Sequence, residues 1–417
     1  MDRVVLHCDA NSYYASVCCV YHPNLRGLPL SVCGDPEARH GIVLASTREA
    51  KQMGVKVGMA IWQAKQFCPK LVVMPPDYER YMRFSHDMRS IYEEFTPMVE
   101  SFGLDECWLD ISNPGTTMVD GYRLANRLRA RIRDELGITI SVGVSFNKVF
   151  AKLGSDMKKP DATTIITKQD YQQKVWPLPV SDLLFVGPST TKTLLNMLIC
   201  TIGDLATADP NRLHSKFGKN GLMLQAFAKG EDTSPVMQVD ERIAIKSVGN
   251  STTLPVDVTT PDEAQAVIYL LSESVASRLR EHGFRAKCVS ISVRDTTLNT
   301  GGCQRTMNYA TALCGDIAKQ AFELFNQRHY DRMLPIRSMG VHCSSLVLDD
   351  APEQIDLFGN VDRRDKELKL ARSIDDIRRR FGTQIIQRGI IMAQTPFKEI
   401  NPKDDHTIHP MPFYTGK

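Results

Sequence analysis

The 417 residues carry a formal net charge of +3, with 42% hydrophobic and 24% charged side chains, the make-up of a globular protein of two to four domains. So small a charge means that any contact with nucleic acid must rest on locally gathered basic residues. Met1-Asp2-Arg3-Val4 lacks the layout of a signal peptide and no apolar run nears the ~20 residues of a membrane span, so a cytoplasmic protein without membrane contact is expected.

Eleven cysteines are scattered singly, apart from Cys18 and Cys19, with no Cys-x-x-Cys. That spacing argues against a zinc ribbon and for reduced thiols.

Val4 to Cys8 is a short apolar run that predicts a buried strand, ending at Asp9. A helix then begins within Ala10-Asn11-Ser12-Tyr13-Tyr14. Asp9 has two readings, a cap for that helix or an oxygen ligand of a hard cation. Gly41 to Ser46 predicts another strand, followed by a helix from Arg48 to Met53 with Gly54 as its C-cap. An amphipathic helix from Tyr78 to Phe95 stops at Thr96-Pro97.

Ser101 to Ile111 reads as a hairpin, with Gly103 in the turn and Asp105-Glu106 beside it. An Asp-Glu pair on a bend is either a solvated turn or part of a metal site, and the second reading needs Asp9 on a neighbouring strand. Gly121 to Leu136 predicts a helix with Leu124, Leu128 and Ile132 facing a sheet; its five arginines read as a solvated back rather than a DNA surface. Ile138 to Val144 predicts a central strand and Asn147 to Met157 a helix. Beyond Lys168 the chain is helical with short loops. Asp232 to Arg242 reads as a polar tether. After it come a helix from about Pro261 to Glu281, a strand from Lys287 to Arg294, a helix from Asp316 to Phe325 and a closing strand from His342 to Val347. A last helix is predicted from Leu368 to Phe381, with a polar tail from Asn401 onward.

Three blocks stand in order: Asp9-x-x-x-Tyr-Tyr-Ala-Ser, Leu104-Asp105-Glu106-Cys107-Trp108-Leu109-Asp110, and Ser141 to Pro160. Together they resemble the Y-family DNA polymerases, which copy damaged templates. The resemblance covers roughly residues 1 to 345 and implies an α+β right-hand polymerase. Its parts would be a ferredoxin-like palm (1–19 and 77–167), small fingers (20–76), a helical thumb (168–235), a tether (236–242), a separate α/β little finger (243–347) and a C-terminal tail (348–417). The implied reaction is template-directed addition of deoxynucleotides to a primer 3′-hydroxyl, with release of pyrophosphate.

By the same resemblance, Asp9, Asp105 and Glu106 would be catalytic and would hold two Mg²⁺ ions. Two such cations stabilise the attacking and leaving oxygens of an in-line displacement. Tyr14 matches the family's steric gate against a 2′-hydroxyl; the alternative is a plain core ring. Arg48, Lys51 and Lys159 match positions facing the triphosphate, although many relatives have Tyr and Arg at the first two. A solvated helix face is the other reading for Arg48 and Lys51.

Leu184 to Leu194 resembles a helix-hairpin-helix that points amides at a DNA phosphate. Only Gly187 of its usual two glycines is present, and Phe185 replaces the other. Lys246, Lys287, Arg294 and Arg305 would track the backbone in a salt-sensitive way. Gln354-Ile355-Asp356-Leu357-Phe358 resembles the bacterial peptide that docks on a β-type sliding clamp, with Gln354, Leu357 and Phe358 as its anchors; otherwise Leu357 and Phe358 pack on their own protein.

The implied partners are primer-template DNA, deoxynucleoside triphosphates and the clamp, for a monomer near the nucleoid. Two other classes remain at this point. A nucleotide cyclase has a similar palm but needs neither thumb hairpin nor clamp peptide. A non-catalytic DNA-binding protein would not need Asp9, Asp105, Glu106 and Lys159 together.

Overall fold

The computed structural model describes residues 3–35, 41–239, 241, 244–328, 330–333, 335–352, 361–393, 395–397 and 400–402. These fall into two compact units, one built from 3–34 and 42–241 and the other from 244–402 together with residues 35 and 41.

The first unit is centred on β1 (Val5–Ala10), every residue of which is buried. From it the chain enters α1 (Tyr13–Tyr21) and then β2 (Leu30–Cys33), β3 (Val43–Ser46), α2 (Arg48–Gln52), α3 (Ile61–Phe67) and β4 (Val72–Met74). Strands β2 to β4 make a small sheet of order β3-β2-β4, in which β2 and β4 run parallel. Next come α4 (Tyr78–Glu93), β5 (Val99–Phe102), β6 (Glu106–Asp110), α5 (Met118–Arg131), β7 (Ile140–Ser145), α6 (Lys148–Met157) and β8 (Thr163–Ile166).

The main sheet has the order β5-β6-β1-β7-β8. It is antiparallel except at β7 and β8, which run parallel. That exception follows from connectivity, because α6 is a crossover between the two strands, and parallel neighbours need one. Gly143 on β7 lets α6 lie close, for a Cβ there would fall 1.9 Å from the carbonyl oxygen of Ala151. Leu6, Cys8, Val142 and Val144 pack with Leu128 and Ile132, as the helical spacing of the latter predicted.

The arginines of α5 and the turn after it are mostly engaged. Arg131 pairs with Glu94 and Glu135, Arg129 pairs with Asp161, and Arg127 lies over the Phe95 ring. The unit closes with five short helices, α7 (Tyr171–Val175), α8 (Pro188–Asn196), α9 (Ile202–Thr207), α10 (Pro210–Phe217) and α11 (Lys219–Ala228).

The polar tether is not free of this unit. Val236 is 1% exposed against Val5, Trp108 and Ala151. Buried Glu100 accepts the amide of Met237, and Lys148 donates to the carbonyl of Pro235.

The second unit runs β9 (Ser247–Val258), α12 (Pro261–Glu281), β10 (Phe284–Asp295), β11 (Thr300–Thr311), α13 (Cys314–Gln327), β12 (Ile336–Leu348), α14 (Val361–Phe381) and α15 (Gly389–Met392). Its sheet, of order β11-β10-β12-β9, is antiparallel throughout. Val289, Ile291 and Val293 join the helices in one core.

The segment after 361 differs from the expected tail, because its described part folds onto this unit. Asp375 pairs with Arg280 at 2.6 Å, Glu273 is paired by both Arg378 and Arg388, and Phe397 is 1% exposed. The expected helix from Leu368 to Phe381 is present as part of α14, and Asp375 and Arg378 on it are matched by partners about a hundred residues earlier.

No helix among the described residues is long and apolar enough to cross a membrane.

Candidate metal and nucleotide site

Antiparallel pairing of β1 with β6 sets Asp9 opposite Glu106, and pairing with β7 sets it opposite Ser141. Asp9 is 4% exposed. Gly103 turns the hairpin at φ +82°, in the left-handed region that glycine tolerates. Asp105 follows it, and its carbonyl accepts the amide of Ala10 at 3.0 Å. Both carboxylate-bearing segments are thus tied to the end of β1.

Two lysines of the α6 region reach these groups. Lys152 Nζ lies 3.1 Å from Asp9 Oδ2 and 2.9 Å from Glu106 Oε2. Lys159 Nζ lies 2.8 Å from Asp9 Oδ2. Beneath them His7 is wholly buried, edge-on to Trp108, with Nε2 3.2 Å from Glu106 Oε2 and Nδ1 2.8 Å from Ser155 Oγ.

Burial lowers the imidazole pKa against the pull of Glu106, which favours neutral His7. Burial opposes ionisation of Glu106, yet the contacts with His7 and Lys152 outweigh it and hold that carboxyl below its usual range. Asp105 goes the other way. Burial, then the charges of Glu106 and Asp9, push it up to about 7.

A donor atom from each of His7, Asp9 and Glu106 lies within 4.8 Å of the other two. Asp105 does not join that trio among the described residues; the charges of Glu106 and Asp9 nevertheless bear on it. Crowded oxygen donors that repel one another suit a hard divalent cation. The Oε2 atom of Glu106 is buried, and the groups facing it are the nitrogens of Lys152 and His7.

Around this cluster, Tyr14 is half-buried and stacks on Tyr81 at 4.2 Å and 22°. Burial, then Tyr78, raises its hydroxyl to about 12. Tyr13 is a core ring, donating from its hydroxyl to the Tyr81 carbonyl. Lys51 donates to Ser12 Oγ at 2.8 Å, and burial together with the charge of Lys159 lowers its pKa. Arg48 opens α2 with its side chain exposed.

The remaining expected contacts belong to other elements. Gly187 caps α8. Lys246 precedes β9, and Lys287 and Arg294 are exposed on β10. Arg305 pairs with Glu323 and bonds Gln327. Gln354, Leu357 and Phe358 lie outside the described residues.

Four contributors escaped the sequence reading. They are His7, Lys152, Asp156 and Asn11, whose side chain bonds Ser141 Oγ, Thr139 Oγ1 and the amide of Asp161 beside the Lys159 loop. The signal available was a His within an apolar strand and a Lys one turn after Lys148.

The comparisons with known proteins agree with this geometry. Residues 8–156 match the model of the impB/mucB/samB family, and 245–357 match that of the impB/mucB/samB family C-terminal domain. The chain is 49% identical to the DNA polymerase IV of Acetivibrio thermocellus, over 96% of this chain and 100% of that one. It is 40% identical to the DNA polymerase IV of Pelotomaculum thermopropionicum, over 93% and 95%. For DNA polymerase IV 1 of Bacillus subtilis the identity is 36%, over 95% of each. Among solved structures, a Y-family DNA polymerase chimera superposes with a TM-score of 0.73 at 23% identity, over 83% of this chain and 99% of that one, a likeness of fold. The chain belongs to the impB/mucB/samB family, the Y-family DNA polymerases, in the branch of the DNA polymerase IV proteins.

Proposed function

We infer that the chain is a DNA-directed DNA polymerase for translesion synthesis, which extends a primer 3′-hydroxyl on a template and releases pyrophosphate. Full-length similarity to DNA polymerase IV proteins supports this. The observation that carries it is the pairing of buried Asp9 with half-buried Glu106 across β1 and β6, with Lys159 in contact with Asp9. The reaction uses divalent cations, and Mg²⁺ is proposed for its hard oxygen preference.

In this reading Asp9, Asp105 and Glu106 would hold two ions, whose chemistry when bound would be charge stabilisation of the attacking and leaving oxygens. Lys159 leaves Asp9 to meet charge on the leaving pyrophosphate, while Lys51 and Arg48 steady the triphosphate. Tyr14, braced on Tyr81, closes the space a 2′-hydroxyl would need. His7 stays buried under Glu106 and limits how far that carboxylate turns.

We assign the palm to 1–19 and 77–167, the fingers to 20–76, the thumb to 168–235, the tether to 236–242 and the little finger to 243–347. Gly187, Lys246, Lys287 and Arg294 would contact the DNA backbone, giving salt-sensitive, sequence-independent binding. The Gln354-to-Phe358 peptide would dock a monomeric enzyme on a β-type clamp, and the DNA substrate implies a place at the nucleoid in the cytoplasm.

The experiment is primer extension with Asp105→Ala. The variant should lose Mg²⁺-dependent extension by a factor of about a thousand or more while binding primer-template as before. Extension at the wild-type rate would refute the site. Alanines at Leu357 and Phe358 should abolish clamp capture but leave unclamped extension alone.

A further inference from the structure

Asp156, one turn beyond Lys152 on α6, completes a chain of charges around the carboxylates. Its Oδ2 lies 3.1 Å from Lys152 Nζ, and its Oδ1 lies 2.7 Å from Lys159 Nζ. Lys152 therefore touches three carboxylates at once, Asp9, Glu106 and Asp156, with only 13% of its side chain exposed. Asp156 is the open end of the set, 45% exposed. The i, i+4 spacing on one helix face keeps Lys152 and Asp156 in register.

The helix already lies tight against β7: a Cβ on Gly143 would fall 1.9 Å from the carbonyl oxygen of Ala151, and one on Gly154 would fall 3.2 Å from the Cα of Gly143. The long lysine stem is the flexible member of the set. The ammonium of Lys152 is set among Asp9 Oδ2, Glu106 Oε2 and Asp156 Oδ2, each within 3.1 Å. A divalent ion held by Asp9 and Glu106 would stand beside that charge and repel it strongly, because like charges at short range in a poorly solvated site interact far more than in water.

We propose that Lys152 is a resident counter-cation: it neutralises Asp9 and Glu106 until a divalent ion arrives, and its ammonium is then handed to Asp156. Lys152 thereby acts as a positioning residue that competes with the metal, while Asp156 is the station that makes the exchange possible. This rests on the reading of Asp9 and Glu106 as ion ligands. Asp156 holds both lysines, Lys152 through Oδ2 and Lys159 through Oδ1, and keeps Lys159 until a triphosphate draws it off.

The test is Mn²⁺ binding to the full chain without DNA or nucleotide, read from the electron paramagnetic resonance of free Mn²⁺. Lys152→Met should bind Mn²⁺ at least about tenfold more tightly, equivalent to 1.4 kcal/mol, because the competing charge is gone. Its ion-free form should melt at a lower temperature and regain the loss when Mn²⁺ is added. Lys152→Arg, which keeps the charge, should stay near wild type. Asp156→Asn, at an exposed position that tolerates change, should bind Mn²⁺ several-fold more weakly, since the ammonium has lost its alternative partner. The double variant should behave as Lys152→Met alone. Unchanged or weaker binding by Lys152→Met would overturn the proposal, as would tighter binding by Asp156→Asn. Asp9→Asn separates the two levels. If it leaves Mn²⁺ binding intact, the ion-site reading and this proposal fall together. If it abolishes binding while Lys152→Met matches wild type, only the role of Lys152 falls.

Discussion

Lys148 Nζ sits 2.7 Å from both carboxylate oxygens of Glu100, and both side chains are almost wholly buried. The pair joins the start of α6 to β5 and holds the tether through the carbonyl of Pro235 and the amide of Met237. The Lys148 carbonyl also takes the indole N–H of Trp108. One ion pair thus links the sheet, the helix bearing Lys152 and the departing chain.

Removing one partner leaves the other charge buried. Glu100→Gln or Lys148→Met should destabilise the first unit by about 3–5 kcal/mol. All three tryptophans, Trp62, Trp108 and Trp176, lie in that unit, so urea unfolding followed by tryptophan fluorescence reads it directly. Replacing both with apolar residues, Glu100→Leu with Lys148→Met, should recover about half of the loss. A single variant within 1 kcal/mol of wild type (an ordinary exposed-pair value) would contradict a buried pair.

Asp105 predicts a pH dependence of stability in the ion-free protein. An unfolded aspartate titrates near ~3.9, whereas burial and the neighbouring charges of Glu106 and Asp9 raise the folded group to about 7. The folded chain holds the proton more tightly, so this contribution is full below about pH 4 and is lost as pH rises through about 7. In EDTA, the melting temperature of wild type should fall from pH 5 to 8 more steeply than that of Asp105→Asn, which has no such proton to lose. Parallel curves for the two proteins would rule this out.

Tyr14 rests on Tyr81 in a stack and meets Tyr78 edge-on at 6.1 Å. A ring braced in this way cannot swing aside cheaply. Tyr14→Ala should raise ribonucleotide incorporation relative to deoxynucleotide by about 10–100-fold, with Tyr14→Phe close to wild type. Equal discrimination by the alanine variant and wild type in single-nucleotide kinetics would remove the gate role.

The hairpin before α8 separates backbone strain from contact. Phe185 has φ +68°, the left-handed conformation of a glycine, with its ring 39% exposed near Phe227. Phe185→Gly should therefore be more stable than Phe185→Ala by about 1 kcal/mol, the reverse of their order in a helix. At Gly187 a Cβ would meet nothing within 4 Å. Gly187→Ala should leave stability unchanged yet weaken primer-template binding about fivefold, if a DNA phosphate approaches that amide. Unchanged affinity in a fluorescence-anisotropy titration would clear Gly187 of contact.

By itself the sequence determined the elements and the identity of the carboxylates. Asp9 ends an apolar run, Asp105 and Glu106 flank a turn that needs Gly103, and the spacing of Leu124, Leu128 and Ile132 set a buried helix face. These are local properties, written in periods of two and 3.6 residues and in turn chemistry. The partners were decided only by the tertiary structure. Lys148 finds Glu100 48 residues away, Lys152 finds Asp9 143 residues away, and Asn11 finds the amide of Asp161 150 residues away. No local period encodes such pairs. They exist because β1 lies between β6 and β7 while α6 crosses close behind it, and because a lysine in that space is costly unless carboxylates surround it.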